Sequence, residues 1–271
     1  MHNTFRDGTL LPAVHSFFNE ELDASRAFLR AYLRASPEDP LAHAIAAAIE
    51  FYSVVIGWML GGGAASAENF VRGQRIELDA ARSESIQGSL RLTERCANAV
   101  LADDGCADLA IFARSIAESI RRDWSALVLN QWADSLSHAQ EANLLGRKLL
   151  KANPAAHDAY CIFGSSEYLI SRVPAAMRPF AKIPGVTGSR AKAIQFYEVA
   201  SRTGRYYKEF ARCMLVALYT EEGRASEALR TLSGLADEFS KNTAISAALR
   251  EGADHDNTID RVTGCSFQRP I

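Results

Sequence analysis

The chain has 271 residues and a mass of 29.6 kDa, with 48% hydrophobic and 23% charged residues. That composition excludes a disordered, collagen-like or low-complexity protein, and a chain this long buries a large core without disulfide or metal staples. A formal charge of −2 and a pI near 6.3 give no global electrostatic case for nucleic acid or an acidic membrane. Alanine makes up about one residue in six; it is the strongest helix former and allows close helix approach.

In chain order, Arg6 and Asp7 precede only a short apolar stretch around Leu10–Val14 with no small-residue cleavage site. No signal peptide is expected, so the expected compartment is the cytoplasm, with export if the start codon is misassigned. The pattern of Leu22, Phe28, Leu29, Tyr32 and Leu33 predicts an amphipathic helix over Asn19–Ala35, stopped at Ser36-Pro37. Asp39-Pro40 restarts the chain as N-cap and first helical residue, and that helix runs to the breaker Gly61–Gly63. The apolar run Leu41–Ala67 is interrupted by Glu50 and by those glycines, and reads as a buried helix rather than a membrane span. A helix capped by Ser66 is expected to reach about Ala102, with a kink around Ser83–Ser89. Further helices are predicted from Gly105 to about Arg121, over Ser125–Ala152 up to Asn153-Pro154, and over Ala156–Ser171. A Pro/Gly-punctuated connector, 173–189, follows; Phe180, Ile183 and Val186 are expected to dock it. Helices are then predicted over Arg190–Thr203, Arg205–Glu222, Ser226–Phe239 and Thr243–Glu251. No alternating β-branched run suggests a sheet. The expected organisation is one helical domain over 1–252 and a loosely structured tail over 253–271.

Five cysteines, Cys96, Cys106, Cys161, Cys213 and Cys265, with no CxxC, predict free thiols rather than a disulfide framework or a zinc site. Nucleotide-binding glycine motifs, a GxSxG elbow and an HExxH pair are absent. His157 and Cys161 share a helix face at i, i+4, a nucleophile–base pairing in principle, but no signature surrounds them and they read as packing residues. Adjacent acid pairs at Glu20-Glu21, Asp103-Asp104 and Glu221-Glu222 point about 100° apart on a helix and do not converge. No catalytic residue, cofactor or metal is therefore expected.

Three junctions resemble one another: 30–44, 147–160 and 233–246, each an apolar helix end, a polar turn and a new helix. Pro154, with Tyr160, Phe163 and Gly164 after it and Ala142 before it, resembles the tetratricopeptide repeat. So do Leu215, Tyr219, Ala228 and Leu232, with Ser240 in place of the closing proline. The stretch RPFAKIPGVTGSR is similar to one in uncharacterised bacterial tetratricopeptide-like proteins. The resemblance implies an all-α fold, antiparallel helical hairpins stacked as an α-solenoid, with the small residues admitting close helix approach and the large ones filling the space beside them.

Charge is unevenly spread. From Arg172 to Arg212 nine basic residues face two acids, Glu198 and Glu209, a net +7 that leaves −9 elsewhere. Arg205, Lys208 and Arg212 follow i, i+3, i+7 as one stripe, and Gly188-Ser189 opens a helix carrying Arg190 and Lys192, a helix N-terminus suited to an anion. The expected function is a non-enzymatic protein-interaction scaffold whose groove takes a peptide or protein segment of acidic character. The candidate binding residues are Arg178, Lys182, Arg190, Lys192, Arg205, Lys208 and Arg212, with Tyr206 and Tyr160. The alternative is a nucleic-acid or phosphate-ligand binder using the 172–212 segment with Tyr206 or Tyr207 as a stacking surface. Self-association through the ends of the array stands as a further partner class.

Overall fold

A computed structural model of the protein describes residues 3–60, 75–102, 107–173 and 181–252. The described residues contain helices and no strand. The helices are α1 (Thr4–Asp7), α2 (Leu11–Phe18), α3 (Leu22–Ala35), α4 (Pro40–Leu60), α5 (Ala80–Ala102), α6 (Ala107–Leu127), α7 (Trp132–Ala152), α8 (Ala159–Arg172), α9 (Arg190–Thr203), α10 (Lys208–Glu221) and α11 (Ala225–Glu238). A last helix, α12, covers 243–252. Two of the expected caps, Asp39 and Ser189, act where the sequence placed them. The Asp39 carboxylate accepts the N–H groups of Leu41 and Ala42, and Ser189 Oγ accepts that of Lys192.

Several boundaries differ from expectation. The eight-residue α2, with Pro12 in its first turn, is too short to declare a period in sequence. The helix expected to start at Ser66 begins at Ala80; residue 66 lies outside the described residues, and Ile76, just before α5, donates its N–H to Leu127 O at 2.8 Å instead of entering a helix. The helix α6 runs past Arg121 to Leu127 because Arg122 and Trp124 are buried. It ends where Val128 and Leu129 both donate to Trp124 O and Asn130 adopts a left-handed φ of 56°. Finally, α10 starts at Lys208 rather than Arg205, because the buried Asp158 side chain takes the N–H groups of Arg205, Tyr206 and Tyr207.

From α2 to α11 each helix packs on the next one in the chain, α4 packs also on α6 and touches α10, and α1 lies on α6. The start of α4 is deep in the core, with Leu41, Ala42, Ala44, Ala47 and Phe51 fully buried, and no helix of the described residues is long and apolar enough to cross a membrane. Small residues set the spacing of the later helices. A Cβ on Gly164 of α8 would stand 3.1 Å from the ring of Tyr197 on α9, so glycine there lets a fully buried tyrosine lie against the α8 backbone.

The two ends of the described chain meet. Phe239 packs on His15 and Phe18, with ring centroids 5.3 and 5.6 Å apart. Asn242 Nδ2 donates to Phe18 O at 2.8 Å, Glu20 accepts from Thr243 and from the N–H of Ala244, and Lys241 pairs with Glu21 at 2.5 Å.

Deep between α4, α6, α8 and α10 lies a polar cluster of Tyr52, Ser119, Arg122, Cys161, Ser165 and Tyr207. Arg122 is 4% exposed. Its Nε and Nη2 form a two-point pair with Asp123 at 2.7 and 2.9 Å, Tyr52 Oη donates to the same carboxylate at 2.9 Å, and Nη1 has no hydrogen-bond partner.

A second carboxylate fixes the N-terminal turn. Asp108, at the head of α6, accepts from Asn3, Arg6 and Asn153 at 2.7–2.9 Å. Burial pushes this carboxyl up, but the three donors outweigh burial and hold it below the usual range. Its contribution to stability is therefore present above the unfolded value near 3.8 and is lost as pH falls through the lower folded value. Asp108→Asn is expected to flatten the pH dependence of unfolding free energy below about pH 4. Equal acid slopes in the two proteins would refute this assignment.

Candidate functional site

The basic segment that stands out in sequence is largely neutralised by the fold. Arg172 pairs with Glu221 at 3.3 Å and Arg190 with Glu222 at 3.0 Å. Lys208 and Arg212 share Glu238 of α11, at 4.0 and 2.5 Å. Arg205 lies ahead of α10, so it does not continue a helical stripe with Lys208 and Arg212; its guanidinium donates to the carbonyls of Phe5 and Arg6. Tyr206 is 5% exposed, packed between Phe5 and Phe112 at centroid distances of 6.2 and 5.8 Å, and Tyr207 is buried too. Neither ring offers a stacking surface, a correction forced by the aromatic core around Phe112. Arg178 and Phe180 lie outside the described residues; Ile183 and Val186 do dock the connector, on Ala139, Leu169, Ile170 and Val173.

The expected anion site at the start of α9 is filled from within. Glu167 of α8 is 2% exposed. Its carboxylate accepts the N–H of Ser189 at 2.8 Å and both the N–H and the hydroxyl of Thr187. This buried carboxylate already sits beside the start of α9 as a negative charge, and the N–H of Lys192 is taken by Ser189 Oγ.

An open cleft of about 340 Å³ lies between α7, α8, α9 and the connector, lined by Asn143, Arg147, Leu150, Tyr160, Phe163, Val186 and Phe196 with Glu167 and Gly185. Three half-buried rings form its apolar surface. Tyr160 and Phe196 are stacked at 6.0 Å, Phe163 meets Phe196 edge-on at 5.8 Å, and Tyr160 meets Phe163 at 89° and 6.0 Å. These are the offset and edge-to-face arrangements that aromatic quadrupoles favour. Phe163 reaches this position because Gly146 on α7 leaves room; a Cβ there would stand 2.9 Å from its Cε1. The connector forms the remaining wall and is held on α7 by Gln140 Nε2 donating to Lys182 O at 2.7 Å and Arg147 Nη2 donating to Pro184 O at 2.9 Å.

Of the expected binding residues, Tyr160 lies in this cleft. Lys192 sits one turn before Phe196 on the same exposed face of α9, and Lys182 is exposed on the connector. Sequence reasoning missed Arg147 and Phe196 and assigned Phe163 to packing alone. The available signal was the run Arg147, Lys148, Lys151, which falls outside the 172–212 window.

No Cys, Ser, Thr, Lys or His is among the residues lining the cleft. Cys161, on the same helix, lines the interior cluster instead, where burial pushes its thiol well up. His157 lies beside Tyr160, with ring centroids 6.0 Å apart, rather than poised on that thiol. Among the described residues no group of three or more His, Cys, Asp or Glu side chains is placed to hold a metal ion. No family model, no curated protein and no solved structure matches this chain.

Proposed function

We propose that the protein is a non-enzymatic interaction module of the tetratricopeptide-like hairpin kind, and that it holds a segment of a partner protein in the α7–α8–α9 cleft. The small residues Ala142, Gly146 and Gly164 at successive helix contacts support the hairpin reading. The observation that carries the binding reading is the set of three half-buried rings, Tyr160, Phe163 and Phe196, lining one open cleft. Rigid aromatics of this kind dominate binding hot spots because they bury much area at little entropy cost.

A photo-crosslinking residue placed at Phe196, in cells producing the full chain, tests this. A discrete protein adduct is expected from that position and not from exposed Arg230 on α11. Tyr160→Ala is expected to remove the adduct, with a loss of affinity of about 30-fold or more, typical of a hot-spot aromatic. It should leave the helical signal intact, since the ring is half exposed. Adducts of equal yield from both positions, or an adduct indifferent to Tyr160→Ala, would sink the proposal.

A further inference from the structure

The basic residues at 172, 190, 208 and 212 face carboxylates of neighbouring helices. Those around the cleft do not. Arg147 lines it and is exposed, its guanidinium donating to the carbonyl of Pro184. Lys151 follows it by one turn on α7, Lys182 stands on the connector wall, and Lys192 precedes Phe196 by one turn on α9; all three are exposed. None of these four side chains has a carboxylate partner among the described residues. The acid that lines the cleft, Glu167, has both oxygens taken by Thr187 and Ser189 and is 2% exposed.

We propose that the occupant of the cleft is an acidic segment, one aromatic or aliphatic anchor flanked by Asp or Glu. The anchor sits on Tyr160, Phe163 and Phe196, and Arg147 and Lys192 receive the flanking carboxylates. This rests on the cleft reading above and adds the charge and anchor of the partner. A cleft of about 340 Å³ is at the small end of ligand pockets, a size suited to one anchoring side chain. A guanidinium carries five donors in a planar fork, so Arg147 keeps donors for a carboxylate beyond the bond to Pro184 O, in the geometry that makes charge-assisted pairs strong. Rim charges of this kind act chiefly on association rate and on rejection of wrongly charged partners.

The experiment uses the full chain and three pools of fluorescent peptides, each with a central Trp, Phe or Leu. The flanks are drawn from Asp/Glu/Ala, from Asn/Gln/Ala, or from Lys/Arg/Ala. The acidic pool is expected to bind about tenfold more tightly than the neutral pool, with the difference shrinking as salt rises. Lys192→Gln is expected to cut the acidic pool's affinity about threefold and leave the neutral pool unchanged. Arg147→Gln should do more, but it also frees the connector, so Lys192→Gln is the cleaner variant. Equal binding of acidic and neutral pools, both lost in Tyr160→Ala, would overturn this inference and leave the cleft reading standing. Preference for the basic pool would overturn it as well. Tighter binding of single-stranded oligonucleotide than of any peptide would replace an acidic protein segment with a polyanion. Binding of no pool, together with no adduct at Phe196, would overturn both readings.

Discussion

Asp158→Ala is expected to destabilise the protein by roughly 3–5 kcal/mol, measured by denaturant unfolding. The carboxylate is 2% exposed. It accepts the N–H groups of Arg205, Tyr206 and Tyr207 at 3.0, 2.8 and 2.7 Å. Burial pushes its carboxyl up, and these three donors oppose the shift. Tyr206 and Tyr207 are themselves buried, so removing the acceptor strands donors that water does not easily reach, at about 1–3 kcal/mol each. Asp158→Asn keeps one acceptor oxygen of the same shape and should cost clearly less. The order Ala worse than Asn separates acceptor loss from simple loss of charge. A cost below about 1 kcal/mol for the alanine variant would mean that solvent replaces the carboxylate, and that the turn before α10 is not held as described.

The second large effect lies in the interior polar cluster, and it is asymmetric. Asp123→Ala is expected to cost roughly 3–5 kcal/mol, because it leaves a buried guanidinium without its counter-charge. Arg122 cannot escape by deprotonating, and its Nη1 already lacks a partner. The converse change is milder. Arg122→Met fills similar volume and removes the unpartnered donor, while Asp123, its side chain 20% exposed, keeps the Tyr52 hydroxyl and some contact with water. Comparing the two single variants by thermal unfolding decides the point. Equal losses would mean the pair is more solvated than its burial implies; a larger loss for Arg122→Met would mean packing, not charge, dominates the site.

The all-α class was legible because alanine content and 3.6-residue periodicity are local properties, and α9 has the bounds its capping serine and Gly204 announce. Boundaries that depend on distant residues were not legible. The late start of α10 is set by Asp158, nearly fifty positions earlier in the chain, and no local signal at 205–207 reveals it. The basic stripe misled for a related reason. A charge count over 172–212 stops short of Glu221, Glu222 and Glu238, the acids that meet these cations across helix contacts. The cleft was half visible. Tyr160 drew attention as a large residue in a repeat, but its neighbour Phe196 lies 36 positions on, and only packing brings the two rings together.

The meeting of Phe18, Glu20 and Glu21 with residues 239–244 bears on how the molecule comes apart. In a linear array of hairpins each unit touches only its neighbours, and the terminal units fray first. Here the end of α2 and the turn before α12 are pinned to one another across a separation of 224 residues, a loop whose closure cost grows only with the logarithm of its length. The seam between them is among the most non-local contacts in the fold, the kind that raises contact order and slows folding as a whole. The seam couples opening at α2 to opening at α12, so a concerted transition of the described helices is expected instead of one that progresses hairpin by hairpin.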